Sequence, residues 1–225
     1  MSHTRQLLLC AACANELKYF GDGTFQHLKT GFVTPVDQNI DVLVTGVGFF
    51  QTIYHLTRTL QECDYEMVFA AGVAGDYDLE RPVCQVFSIE KSTFVDCGFE
   101  TQGGGFQSIV GSKFLDADLP PFQSGYIFNS IADIIGLPMA TANTVCRTCT
   151  DPKHVAKMLR QFPADLETME SAVFGYVCAR QHVNYAEIRC TSNHVVPKKQ
   201  EKWQLEGALN TLGSTLDSIL KEICN

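Results

Sequence analysis

The sequence predicts an α/β fold, a three-layer α/β/α sandwich with a mixed, largely parallel central sheet. Three observations carry this expectation. Short apolar runs alternate with longer segments of helical periodicity, several of the short runs are apolar on both faces, and the chain closes on an amphipathic segment.

In chain order, residues 6–12, 41–47, 67–71, 83–89 and 185–191 read as strands, being short β-rich apolar runs that alternate with longer helix-like segments. Residues 50–63 set Ile53, Leu56 and Leu60 at helical spacing, and residues 166–181 do the same with Met169, Val173, Tyr176 and Val177. From Lys202, a stripe of Leu205, Leu209, Leu212, Leu216 and Ile219 predicts the closing helix. The stretch 94–121 holds Gly103, Gly104, Gly105, Asp116, Asp118, Pro120 and Pro121. It is expected to form a long mobile loop with a binding role. No repeat, low-complexity tract or linker interrupts the pattern, so residues 1–225 are expected to form one domain.

A formal charge of −8 leaves no basic face for tracking phosphates and argues against a nucleic-acid partner. Leu7, Leu8 and Leu9 make an apolar run too short for a secretory signal or a membrane span, which points to a cytoplasmic protein without a membrane partner. The ten cysteines, among them Cys10, Cys13, Cys63, Cys84, Cys178 and Cys190, are scattered through apolar runs and read as reduced thiols. Cys146 and Cys149 form a C-x-x-C with no second pair and no suitably spaced histidines. No metal and no cofactor is therefore expected.

Two strands are expected to end in glycine turns, one at Thr45-Gly46-Val47-Gly48 and one at Ala71-Gly72-Val73-Ala74-Gly75. Glycine there lets a ligand approach the backbone at the carboxyl edge of a sheet, although either turn also has a purely structural explanation. Neither matches a dinucleotide fingerprint or a P-loop. Glu16 follows the first strand, where an acid is either a solvated charge or, facing a pocket, a general base. Glu170 opens an apolar helix between small residues, and a first-turn acid also complements the helix dipole. Ile188-Arg189-Cys190-Thr191-Ser192-Asn193 carries a buried strand into a polar turn, where Ser and Asn can simply shape the chain.

As an ordered set these pieces resemble the purine nucleoside phosphorylase and nucleosidase superfamily, over nearly the whole chain. The matching segments are Ala12-x-x-x-Glu16, Thr45-Gly46-Val47-Gly48, Ala71-Gly72-Val73-Ala74-Gly75, Thr168-Met169-Glu170-Ser171-Ala172 and Ile188 to Asn193. The resemblance implies a nucleoside phosphorylase-like fold and cleavage of the bond between a purine and a ribose with a large 5′ group. Glu16 is then similar to the acid that activates water in hydrolases related to methylthioadenosine/S-adenosylhomocysteine nucleosidase. The turn before it lacks the arginine that phosphorylases carry, and Val73 stands where a hydroxyl residue is often found. Water is thus the expected nucleophile. The same resemblance puts Met169 under the ribose, Glu170 on its hydroxyls, and Val145 and Cys146 at the purine. It also makes 94–107, beginning at Phe94, a loop that closes the 5′ side, often across a dimer interface. The implied partners are a small-molecule nucleoside and a second copy of the chain in a homodimer or higher homo-oligomer.

Asn193 departs from the adenine-specific members, which carry an aspartic acid that protonates the departing base. An amide cannot be that acid, but its NH₂ donates to N7 or O6 of a 6-oxopurine as charge develops. It also fits the N6/N7 edge of adenine, so hypoxanthine is favoured without excluding adenine. The tail Ser192 to Val196 followed by Lys202 and Trp203 fits the 6-oxopurine reading, while Pro197, Lys198 and Lys199 replace the expected Gly/Arg-rich turn.

Overall fold

The computed structural model describes residues 5–103, 105–149, 151–196 and 202–223. In chain order the elements are β1 (Arg5–Ala11), β2 (Val33–Pro35), β3 (Ile40–Val44), α1 (Phe49–Glu62), β4 (Tyr65–Asp76) and β5 (Val86–Phe94). They continue with β6 (Gly98–Glu100), β7 (Phe106–Ser108), β8 (Ile127–Phe128), β9 (Met139–Thr144), α2 (Pro152–Gln161) and β10 (Leu166–Thr168). The last three are α3 (Ser171–Gln181), β11 (Asn184–His194) and α4 (Leu205–Ile223).

The main sheet runs β10-β9-β5-β11-β4-β1-β3-β2, with β8 beside β5. It is mixed. β1 pairs in parallel with β3 and β4, and β11 with β4, whereas β5 and β11 are antiparallel. One end of the sheet also rolls up. β10 pairs in parallel with β9 and, on its other side, antiparallel with β4, so five strands close into a ring. The mixed α/β sheet expected from the sequence is present, and part of it is a closed barrel.

Period-two alternation explains why β1 is apolar on both faces. Leu7, Leu9 and Ala11 pack with Phe69, Ile188 and the α4 residues Leu212 and Leu216. Leu8 and Cys10 pack on the opposite face with Leu56 of α1 and Val173 and Phe174 of α3. Ala74, Ile89, Ala142 and Leu166, one from each of β4, β5, β9 and β10, form a smaller core at the ring.

Four expectations change. Residues 192–193 are not a turn, because β11 continues through them to His194. Residues 72–75 are not a turn, because β4 continues through them to Asp76, paired with β11 on one side and β10 on the other. Their glycines leave room for side chains arriving from neighbouring strands. Residues 166–168 are strand rather than the start of a helix, since ring closure recruits them before α3 begins. The segment 94–121 is held by the β6–β7 hairpin and further turns rather than being an unstructured loop. None of the helices in the described residues is long and apolar enough to cross a membrane, and Cys10, Cys178 and Cys190 are buried free thiols.

Candidate active site

Glu16 lies in a 3-10 turn, Ala14–Leu17, just after β1. Because β1 runs beside β4, this turn arrives next to the middle of β4. The Glu16 carboxylate is buried, at 5% exposure, and it is fixed by three backbone donors. Oε2 accepts from the N–H groups of Ala12 (2.8 Å) and Cys13 (3.1 Å), and Oε1 from that of Val73 (2.9 Å). Converging N–H groups of this kind make an anion-binding concavity. Here the chain's own carboxylate fills it, which leaves no such seat for phosphate.

Glu170 is the N-cap residue of α3. Its Oε1 accepts from the N–H of Gly48 at 2.8 Å. Gly48 starts α1 with φ +84°, a left-handed conformation that glycine adopts without strain and that aims the amide at Glu170. Burial pushes the Glu170 carboxyl above its ordinary pKa, while Arg189 draws it back down.

Arg189, 1% exposed, stands in β11 and ties the acids together. Its Nε donates to Glu187 Oε1 at 2.7 Å, which also accepts from Ser171 Oγ at 2.6 Å, and its Nη1 lies 3.4 Å from Glu170 Oε2. Burial alone would lower the Arg189 pKa, but Glu187, Glu170 and Glu16 outweigh it and hold the guanidinium charged. Glu16 Oε1 and Arg189 Nη1 share the space over Gly72 that any β-carbon there would occupy. Three carboxyl groups thus share one guanidinium in a water-poor setting. Such a field favours positive charge developing on a bound group.

Asn193 closes the site at the far end of β11. A bulge between Thr191 and Asn193 shifts the register against β4 and re-aims the side chains there. Ser192 Oγ donates to Asn193 Oδ1 (3.0 Å), and Asn193 Nδ2 donates to the His194 carbonyl (3.2 Å). The amide is thereby oriented with one Nδ2 proton left for whatever it faces.

Glu16, Val73, Met169, Glu170 and Asn193, all singled out from sequence, line one cavity of 330 Å³. Val145, Cys146 and Phe94 do not. Val145 lines an adjoining cavity of 430 Å³, walled by the β6–β7 hairpin and α2. Cys146 is exposed, and its backbone N–H is taken by Asp96 Oδ2 at 2.7 Å. Phe94 packs edge-on against Phe49 (5.1 Å) and Phe122 (6.4 Å), because the end of β5 meets an aromatic cluster rather than the cavity. Pro197, Lys198 and Lys199 lie outside the described residues.

Arg189, which pairs with the cavity-lining Glu170, and Trp203 and Glu167, which line the cavity themselves, had no role in the sequence reading. Arg189 is buried in β11 two residues after Glu187, and two opposite charges set in a buried strand are the available sequence signal, since a buried charge requires partners. Trp203 covers the cavity from the segment before α4. Glu167 lines both cavities. Burial pushes its carboxyl up to about 7, with Tyr77 and Asp96 as smaller opposing influences.

A model of the phosphorylase superfamily matches residues 136–224. A futalosine hydrolase of Thermus thermophilus is 25% identical over 195 residues, covering 86% of this chain and 83% of the relative. A futalosine hydrolase of Streptomyces coelicolor is 28% identical over 179 residues, covering 76% and 74%. Among solved structures, a futalosine hydrolase mutant of Helicobacter pylori superposes with TM-score 0.74 at 16% identity, over 97% of this chain and all of that one. The 5′-methylthioadenosine/S-adenosylhomocysteine nucleosidase of the same organism gives 0.72 at 15%, over 98% of this chain and 100% of that one. At these identities the structural matches speak to fold alone.

Proposed function

We infer that this chain, which belongs to the phosphorylase superfamily, is a hydrolase of N-glycosyl bonds that cleaves futalosine with water to hypoxanthine and dehypoxanthine futalosine. One observation carries the choice of water over phosphate. The converging N–H groups of Ala12, Cys13 and Val73 hold the Glu16 carboxylate, which serves as the base that orients and deprotonates water. Met169 supports the ribose. Glu170, held by Gly48 and Arg189, accepts hydrogen bonds from its hydroxyls and stabilises the oxocarbenium-like sugar more than the neutral ground state. Asn193 donates its remaining Nδ2 proton to the base.

The reading extends to residues 1–225 as one nucleosidase domain, in which one end of a three-layer sandwich is rolled up, and to a cytoplasmic homo-oligomer. Support for a second copy comes from Val47, Phe50, Ile53 and Tyr54, apolar side chains left exposed around the start of α1 beside the cavity rim. Solution mass measurement tests that part.

The decisive test of function is parallel incubation with futalosine, inosine and methylthioadenosine, with and without phosphate. Hypoxanthine released fastest from futalosine and independent of phosphate is the expected result. Adenine released faster from methylthioadenosine selects the second reading, a methylthioadenosine/S-adenosylhomocysteine nucleosidase, to which the Asn193 amide also lends itself. A strict phosphate requirement selects a phosphorylase.

A further inference from the structure

Asn193 cannot protonate a leaving purine, yet a residue with a carboxyl group stands one strand away from it and lines the same cavity. In the sheet, Gly75 of β4 has Asn193 of β11 as its partner on one side and Glu167 of β10 on the other. Gly75 has no side chain, and the space its β-carbon would take is filled by Val195 Cγ2, 2.8 Å from that point. Asn193 Nδ2 and Glu167 Cβ each lie 3.7 Å from the point where a Gly75 β-carbon would be. Both side chains line the cavity that holds Glu16 and Glu170. Glu167 is 7% exposed, and its Oε2 accepts from Tyr77 Oη at 3.1 Å.

The geometry points to Glu167 as the general acid that delivers a proton to the N7/O6 edge of the departing purine, beside an Asn193 that orients the base. This rests on the nucleosidase reading above. In the step, the C1′–N9 bond breaks with its electron pair going to the base, and the Glu167 carboxyl proton passes to that base. Oxygen of water bonds to C1′ while its proton goes to Glu16. Exchange with solvent then returns a proton to Glu167 and takes one from Glu16, so the reaction consumes only nucleoside and water.

The surroundings suit the task. An acid works best with a pKa near the operating pH, and burial holds the Glu167 carboxyl at about 7. The groups that face it are Tyr77 just after β4, Asp96 beyond β5, and, across the second cavity, Arg147 with His154 and Lys157 of α2. The Tyr77 hydrogen bond favours the ionised form and so lowers the pKa, while Asp96 raises it.

The test compares futalosine with 4-nitrophenyl riboside, whose nitrophenolate leaves without protonation. Glu167→Gln is expected to slow hypoxanthine release by about 10²–10⁴-fold while leaving nitrophenolate release within about threefold. The wild-type futalosine profile should fall as pH rises through about 7. Tyr77→Phe removes the bond that favours the ionised carboxyl, so that alkaline limb should move to higher pH, a readout that holds even where Glu167→Gln fails to fold. Turnover of futalosine by a folded Glu167→Gln at wild-type rate, or an alkaline limb unmoved in Tyr77→Phe, overturns the assignment. Wild-type protein that releases no base from any nucleoside overturns the nucleosidase reading instead, and this inference with it.

Discussion

Glu16 and Arg189 meet over Gly72, with Oε1 of one and Nη1 of the other filling the space a β-carbon would need. Gly72 is in extended strand, so alanine suits its backbone but not its surroundings. Gly72→Ala should push both groups off their partners, costing about 1–3 kcal/mol of stability from overpacking and most of the turnover. A variant with wild-type melting temperature and wild-type kcat would show that the two side chains give way freely.

Glu16→Gln keeps the shape of the side chain and one of its two accepting oxygens, turns an NH₂ toward the remaining backbone donors, and removes the base. Hydrolysis should fall by about 10²–10⁴-fold with nucleoside affinity largely retained. Equilibrium binding of a substrate alongside single-turnover kinetics separates the two effects, and full activity in the variant eliminates the role.

Removing Arg189 leaves Glu187 and Glu170 buried with no cation. Arg189→Met should destabilise the fold by about 3–5 kcal/mol, read as a lower denaturant midpoint. Adding Glu187→Gln should recover part of that loss, because the stranded charge is the cause. Equal midpoints for single and double variants would contradict this account.

Asn193→Asp introduces an acid where an amide now donates. The ratio of adenine release to hypoxanthine release, measured with adenosine and inosine analogues carrying the same 5′ group, should rise by about tenfold or more. An unchanged ratio would mean that Asn193 does not read the base.

Glu167 also gives the fold a pH dependence. Its folded pKa of about 7 exceeds the ordinary 4.5, so between those values the native chain holds a proton that the unfolded chain has released. This contribution favours the fold at low pH, and stability declines as pH rises from about 4.5 to 7, by on the order of 3 kcal/mol. Melting temperatures from pH 5 to 8 should show that slope in wild type and its flattening in Glu167→Gln.

What was legible in the sequence follows from which forces are local. The strands around Leu7–Leu9 and the stripe on α4 were visible because their burial imposes a period. Glu16, Glu170 and Asn193 were found through ordered motifs, and all three line one cavity. Glu167 escaped notice because Leu166–Thr168 is strand only through long-range pairing with β4 and β9, which no local pattern encodes. Phe94 and Cys146 fall outside that lining for a related reason. Their surroundings, an aromatic cluster and Asp96, come from segments distant in the chain.

The way the sheet ends has a bearing on solubility. At one end β10 is hydrogen-bonded on both sides and offers no open ladder to a foreign strand. At the other, β2 is only three residues long and finishes at Pro35, which has no amide to donate. Accretion of further chains edge to edge, the usual hazard of a large sheet, therefore finds little to build on at either boundary.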